Sequence, residues 1–463
     1  MYTADDATAW HLHTDLVVVG SSGGGLLAAL AAAGQGCRVV VLERTKELGG
    51  GLSSTRGMIP AAGTRFQRQA GIQDTAEAFE SDVLAHSHQG RDPARTKALC
   101  AAAAALVEWL AAGSIAKIDL VPALVARGHT APRLHVHRGG TGAALAADLI
   151  SAATTHRHIT VRTGSVVEDL WGDREGAVVG VAARERRGPL NIRGRRVLLA
   201  CGGFAAHNDL VAEHQQELAA FRYFGNPGAL GDGLRWGITL GAATEHLGAC
   251  WVAPLVTTPG GLVVPDSITR TGGILVNQLG QRFVNETDAP MAIARAVLAQ
   301  PGKLAYLLFD DRVYRGVRES DPYFAKLIGP RAVRRDANPA DLARHLEIDP
   351  DNLIPTLDGF HAGVVHRTDA FGRTDAGPAF GPPFYGARVT PARVRTLGGL
   401  RVGAGGEVMR PDGSAVLNLY ASGGVVADLL ASNADEYPIG GTEFATLVQG
   451  WLAGQSLQPD GDA

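Results

Sequence analysis

The residues best placed to do chemistry come early. Asp15-Leu-Val-Val-Val leads into Gly20-Ser21-Ser22-Gly23-Gly24-Gly25, and Glu43 stands roughly 20 residues further on. Glycines in such a turn let the backbone approach a pyrophosphate, whose charge is met by the free N–H groups at the start of a helix. A carboxylate at the end of the following strand accepts hydrogen bonds from ribose hydroxyls. The chemistry implied is the holding of a dinucleotide. It requires a buried strand over 15–20, an apolar helix over 26–33 and a second strand over 37–42, which is what the apolar pattern predicts. One position departs from G-x-G-x-x-G: the middle glycine is Ser22.

The next segment separates the two cofactors that share this fingerprint. Glu43 runs into Arg44-Thr-Lys-Glu-Leu-Gly-Gly-Gly-Leu-Ser-Ser-Thr-Arg-Gly57, a second loop rich in glycine and hydroxyls. A nicotinamide-binding domain would enter its next helix here. A long loop suits FAD, whose second phosphate and ribitol continue past the first turn.

The rest of the pattern supplies the scaffold. Residues 76–112 read as helix broken at Gly90-Arg-Asp-Pro93; 159–170 as strand and turn; 176–185 and 190–200 as a hairpin closing on Cys201-Gly-Gly-Phe204. The segment His137-Arg-Gly-Gly-Thr-Gly142 follows a poor strand at 134–137 and reads as a helix start serving the same cofactor, not as a second nucleotide site. Residues 272–286 are expected to form a hairpin, 417–421 a buried strand and 443–453 a final helix. The fold expected is α/β: a discontinuous Rossmann-like FAD-binding domain over 1–245 and 397–463, with an inserted α+β capping domain over 246–396.

Composition narrows the function. The chain has 463 residues, 43 basic and 46 acidic, with a net charge of −3. Charges of both signs are interspersed, so no nucleic-acid partner is expected and a small-molecule substrate becomes the default. Sixty glycines in 463 residues is roughly 13% against a usual ~7%, without the three-residue period of collagen. Cys37, Cys100, Cys201 and Cys250 are far apart, with no C-x-x-C, and indicate neither zinc, iron–sulfur, c-type haem nor a disulfide framework. The polar start MYTADDATAWHLHT lacks the basic and apolar parts of a secretory signal, and glycines interrupt the longest apolar stretch, so a cytoplasmic protein with no membrane span is expected.

Across nearly its whole length the sequence resembles the fumarate reductase and 3-ketosteroid dehydrogenase flavoprotein family. The likeness rests on VVVGSSGGG with Glu43, GGLSSTRG, LLACGGF, NPGALGDG, GGILVNQLGQRFVNE, TLGGLRV and LYASGG, in that order. It implies a non-covalent FAD, since no histidine lies in 50–57, and hydride transfer between flavin N5 and a carbon beside an activated one. The cofactor residues it implies are Gly20, Ser22, Gly23, Gly24, Gly25, Glu43, Arg44, Gly50, Gly51, Ser53, Gly57, Val167, Gly202, Gly203, Asp232, Gly424 and Thr442.

Departures select the branch. Where fumarate reductases place their proton-donating arginine, four residues after the glutamate of V-N-E, this chain has Pro290. The substrate-binding histidine before a proline is Ala253, another histidine is Arg395, and the late arginine is absent. Tyr437-Pro-Ile-Gly-Gly441 instead resembles the Y-P-x-x-G of ketosteroid dehydrogenases, whose tyrosine hydroxyl and glycine N–H polarise a ketone; Trp251 points the same way. The resemblance thus implies a dehydrogenase introducing a C=C bond α,β to a ketone of a cyclic or steroid-like substrate, with Tyr437 and Gly441 as an oxyanion hole and Arg395 against an acidic group of the substrate. The general base has no assignment: Asp288, Tyr385 and Arg270, with Ser267 in place of the relay glutamate, are the candidates weighed. No NAD(P)H site is evident, so electrons pass to an external acceptor, a quinone, oxygen or a redox protein. Two other readings stand beside this one, an enoate reductase of the fumarate or urocanate type and a flavoprotein without turnover.

Overall fold

In a computed structural model of the chain all residues are described except 6–7, 87–91, 321–331, 367–368, 375–377, 430–439 and 460–463, together with the side chains of Ser320, Val364 and Thr442. The backbone divides into two units, one formed by 1–219, 225–251 and 395–463, the other by 220–224 and 252–394. Where the sequence suggests an insertion over 246–396, the second unit is narrower and also takes in the short strand Arg222–Tyr223.

The first unit is built on a parallel sheet. Its strands and helices are β1 (Leu12–Val19), α1 (Gly23–Gly34), β2 (Val39–Glu43), β3 (Met58–Pro60), α2 (Ala76–Ala85), α3 (Pro93–Ala112), β4 (Ile118–Leu120), β5 (Leu134–His137), α4 (Gly142–Thr155), β6 (Ile159–Thr163), β7 (Val166–Gly172), β8 (Val178–Glu185), β9 (Gly188–Leu199), α5 (Asp232–Thr239), β10 (Ala415–Ala421) and α6 (Gly441–Gln455). Strands β10, β9, β1, β2 and β6 lie side by side and parallel, with Leu199 opposite Val19 and Ala421, and Val19 opposite Leu42. Strands β7 and β8 continue from the first half of β9 as an antiparallel meander.

Burial explains why β1 and α1 carry so little charge. Val17, Val18 and every residue from Gly23 to Ala33 are buried, as expected for a strand and helix covered on all sides. The close partner of α1 is α6. A Cβ built on Gly450 would lie 2.1 Å from the Gly24 carbonyl oxygen, and one on Gly454 2.3 Å from that of Ala28. The two backbones touch, and only glycine at 450 and 454 permits it.

Two expectations are corrected. Residues 134–137 form a true strand, pairing with β3 and β4 in a small antiparallel sheet. Its polar-looking His135 is buried and satisfied: Nε2 meets Thr64 Oγ1 at 2.9 Å, Nδ1 meets the Arg133 carbonyl at 2.9 Å, and burial lowers its pKa to about 4, so it stays neutral. The expected hairpin at 272–286 is only half present. Ile274–Val276 pairs with Ala305–Asp310 on one side, but on the other the Leu275 N–H donates to the Glu286 carboxylate at 3.0 Å, and Val276 opposite Arg282 is an isolated bridge. A side-chain acceptor has replaced a second strand.

The second unit has its own sheet, with Phe384–Thr396 between Ala305–Asp310 and Arg222–Tyr223, over a core of Leu275, Leu307, Phe309 and Val389. The last two residues of that long strand, Arg395 and Thr396, belong to the first unit. No helix among the described residues is long and apolar enough to cross a membrane.

Candidate functional site

The loops singled out in the sequence converge at one edge of the first unit's sheet. Gly20 follows β1, Glu43 ends β2, Cys201-Gly202-Gly203 follows β9 and Ser422-Gly423-Gly424 follows β10. In an open parallel sheet the crevice outside the carboxyl ends of the strands is where ligands bind.

Gly20 adopts φ 99°, closed to ordinary side chains, and a Cβ there would lie 2.5 Å from the Ala200 carbonyl oxygen. Ser22 is the N-cap of α1: its Oγ accepts from the Gly25 N–H at 3.4 Å. The serine that replaces the middle glycine therefore turns back onto its own helix. Among the described residues no acceptor is recorded for the N–H groups of Gly23 and Gly24, two of the orphans that open any helix. They suit a pyrophosphate.

Glu43 is buried and its carboxylate is clamped. One oxygen accepts from Ser21 N at 3.1 Å and Ser21 Oγ at 2.7 Å, the other from Thr45 N at 3.0 Å and Thr45 Oγ1 at 3.1 Å. Ser21 and Thr45 escaped the sequence reading, although hydroxyls flanking a lone buried acid were visible. Four donors fill the acceptor sites of a carboxylate, so a ribose hydroxyl reaches Glu43 only by displacing one of them, with the Thr45 hydroxyl, which also bonds Glu47 O, the one able to turn away. Replacing Glu43 by Ala is expected to weaken FAD binding about 10- to 100-fold, the worth of a charged hydrogen bond, in a titration of apoprotein followed by flavin fluorescence.

The second loop abuts the first. Gly49 N–H donates to Ser21 O at 3.1 Å; Gly50, Gly51 and Ser53 form a 3-10 turn over Gly50–Ser54; and Gly57 lies on the start of α4, where a Cβ would meet Gly142 Cα at 2.8 Å. Val167 sits beyond a turn whose Ser165 N–H bonds Glu43 O at 3.0 Å. Arg44 pairs with Asp232, which opens α5 and also pairs with Arg235. Gly203 and Gly424 are in close contact, a Cβ on Gly424 falling 2.9 Å from Gly203 N. Beside them burial pushes the Cys201 thiol up to about 11.

At the start of α6 the picture is partial. Tyr437 lies outside the described residues. Gly440 takes φ 83° as the N-cap, Gly441 is the buried first residue, and Thr442 follows in the helix. Nearby, Arg395 Nη1 donates to Asp428 at 2.9 Å, and Glu443 in the first turn bonds Thr55 and lies in the field of Arg395 and Arg56. Burial pushes the Glu443 carboxyl above its ordinary range against those partners. Asp428 and Glu443 were missed in the sequence; each is a lone acid in an apolar or glycine-rich run.

The three residues weighed as general base belong to the second unit. Tyr385 donates to Asp311 at 2.9 Å and stacks on Tyr314 and Phe309. Arg270 is an exposed partner of Asp266 at 3.4 Å, and Asp288 is exposed.

The FAD binding domain family profile matches residues 15–434. NADH:fumarate oxidoreductase of Klebsiella pneumoniae (strain 342) is 32% identical over 95% of this chain, which spans about half (47%) of that protein. Fumarate reductase (cytochrome) of Shewanella frigidimarina is 30% identical over 97% of this chain and 78% of its own. A third relative, 4-oxocyclohexanecarboxylate 2-dehydrogenase of Sinomonas cyclohexanicum, is 26% identical over 96% of this chain and 92% of its own. Among solved structures, the open conformation of a flavocytochrome c3 fumarate reductase superposes with a TM-score of 0.87 at 25% identity, over 96% of this chain and 78% of that one. A fingerprint turn, a buried acid and two Gly-Gly corners gathered at one sheet edge agree with that match: the chain belongs to the FAD binding domain family and is a flavin-dependent oxidoreductase acting on CH–CH groups.

Proposed function

We propose that this protein is a dehydrogenase that introduces a C=C bond α,β to the ketone of a cyclic or steroid-like substrate. The observation that carries the reading is the start of α6. Gly440 in the left-handed conformation turns the chain so that Gly441 opens a fifteen-residue helix, and the N–H of a first helical residue has no partner within its helix. Such a free donor supports the oxyanion-hole role that the Y-P-x-x-G resemblance gives to Gly441.

Loss of an α-proton from a saturated ketone puts charge on the carbonyl oxygen. The Gly441 N–H and the Tyr437 hydroxyl would receive it, each worth roughly 2.7–4 kcal/mol of barrier. FAD, when bound, supplies the two-electron acceptor for the β-hydride. Gly23 and Gly24 would hold its pyrophosphate and Glu43 its ribose. Pro290 supports the direction: it is the first residue of the helix Pro290–Leu298, a position suited to proline, and offers no proton where the reductases keep an arginine. An external quinone, oxygen or redox protein would take the electrons.

The reverse reaction, reduction of an enoate, is favoured by one observation, the 32% and 30% identity to fumarate reductases. Anaerobic mixing separates the two. Bleaching of the bound oxidised flavin by a saturated cyclic ketone, with no reoxidation of reduced protein by fumarate or urocanate, is the expected result. Reoxidation by enoates without reduction by ketones would reverse the assignment.

A further inference from the structure

We infer that the substrate is uncharged where it meets Arg395, because Asp428 already serves as that arginine's counter-ion. This rests on the dehydrogenase reading and narrows its substrate class, from a ketone with an acidic group to a neutral cyclic ketone.

The placement comes first. Arg395 ends the strand Phe384–Thr396, and its neighbour Thr396 receives the Phe204 N–H at 3.4 Å, beside the Gly202-Gly203 corner. Asp428 follows the Gly423–Val425 turn, and its N–H donates to Leu397 O at 2.7 Å. Both residues therefore hang from the sheet edge that carries the glycine corners. They meet at 2.9 Å, with the Asp428 side chain only 6% exposed and that of Arg395 25%.

The surrounding charges close on themselves. Arg95, fully buried and bonded to Gln449 at 2.9 Å and Ala427 O at 3.0 Å, faces Asp428, Asp92 and Glu245. Glu443 faces Arg395 and Arg56. Among the described residues named here three guanidiniums thus stand among four carboxylates, with no surplus of positive charge for a substrate carboxylate. To pair with Arg395 it would have to expel Asp428 and leave a buried carboxylate uncompensated, which is strongly unfavourable. A neutral ring makes no such demand, whereas an anion meets the buried carboxylate of Asp428. Specificity of this kind comes from what repels the wrong ligand.

The test uses the FAD-loaded protein and two probes of one shape, 4-oxocyclohexanecarboxylate and its methyl ester. Binding is read anaerobically from the shift of the flavin spectrum, which needs no turnover. Wild-type protein is expected to bind the ester about tenfold or more tightly than the acid, and Asp428→Asn to narrow or reverse that ratio by a similar factor. If Asp428→Asn does not fold, the double variant Asp428→Asn/Arg395→Met removes both charges and should bind the ester while still rejecting the acid less than wild type does. Wild-type preference for the acid, abolished by Arg395→Ala, would overturn the inference, as would a spectrum that neither probe moves. Discrimination without any flavin reduction would leave the inference standing and remove the dehydrogenase reading instead.

Discussion

Replacing Gly450 by Ala should lower stability by about 2–3 kcal/mol, and the melting temperature by roughly 2–5 °C, even though alanine gains about 1 kcal/mol of helix propensity. The new Cβ would sit 2.1 Å from the Gly24 carbonyl oxygen and 2.6 Å from its carbon. Backbone cannot rotate aside as a side chain can, so α6 and α1 must separate. Gly24 lies in the fingerprint turn, so the same change should release FAD more readily. Gly34→Ala is the control: it lies in α1 as well, but a Cβ there meets nothing within 4 Å, and it should be neutral or slightly stabilising. Thermal melts with flavin release as a second signal decide the matter. Equal stability of the two variants would mean that the helices do not touch.

The second large effect belongs to Glu286 in the other unit. Its carboxylate takes both arms of Arg282 at 2.8 Å, Arg373 Nη1 at 3.1 Å and the Leu275 N–H at 3.0 Å, with all three side chains nearly or fully buried. Arg282 also pairs with Asp369; burial pushes that carboxyl upward, but Arg282 and the Arg373 and Phe371 N–H groups hold it below its usual range. Removing one partner of a buried pair leaves the other charge stranded, so Glu286→Ala should cost about 3–5 kcal/mol. Asp266→Ala, which breaks the exposed pair with Arg270 at 3.4 Å, should cost less than about 1 kcal/mol. Urea unfolding of the two variants gives the comparison. A loss at Glu286 no larger than at Asp266 would show that the network is not closed.

These two sites also mark how far the sequence could be read. The turn from Gly20 to Gly25 and its acid at Glu43 were legible because a phosphate-cradling βαβ unit is local: strand, glycines, helix and carboxylate all fall within one short span. V-N-E at 284–286 was recognisable as a motif, but its work was not, because Arg373, which pairs with Glu286, lies far along the chain. The same distance hid the α1–α6 crossing and the pairing of Arg395 with Asp428. Ser22 looked like a weakness in the fingerprint until its hydroxyl was found capping the helix. The strand at 134–137 was discounted because histidines mask an inward-facing pattern, and His135 turned out to be a neutral core residue. What spacing cannot encode is which distant side chain arrives to satisfy a buried group.

The contact between α1 and α6 also sets a timetable for the nascent chain. The helix bearing the fingerprint leaves the ribosome with its apolar surface complete, while the helix that covers it emerges roughly 20–90 s later at about 5–20 residues per second. During that interval α1 can pack on β1, β2 and α4, but its face toward α6 has no cover. Until α6 emerges the face of α1 that meets Gly450 and Gly454 stays uncovered, so these two glycines also decide when the fingerprint helix is closed.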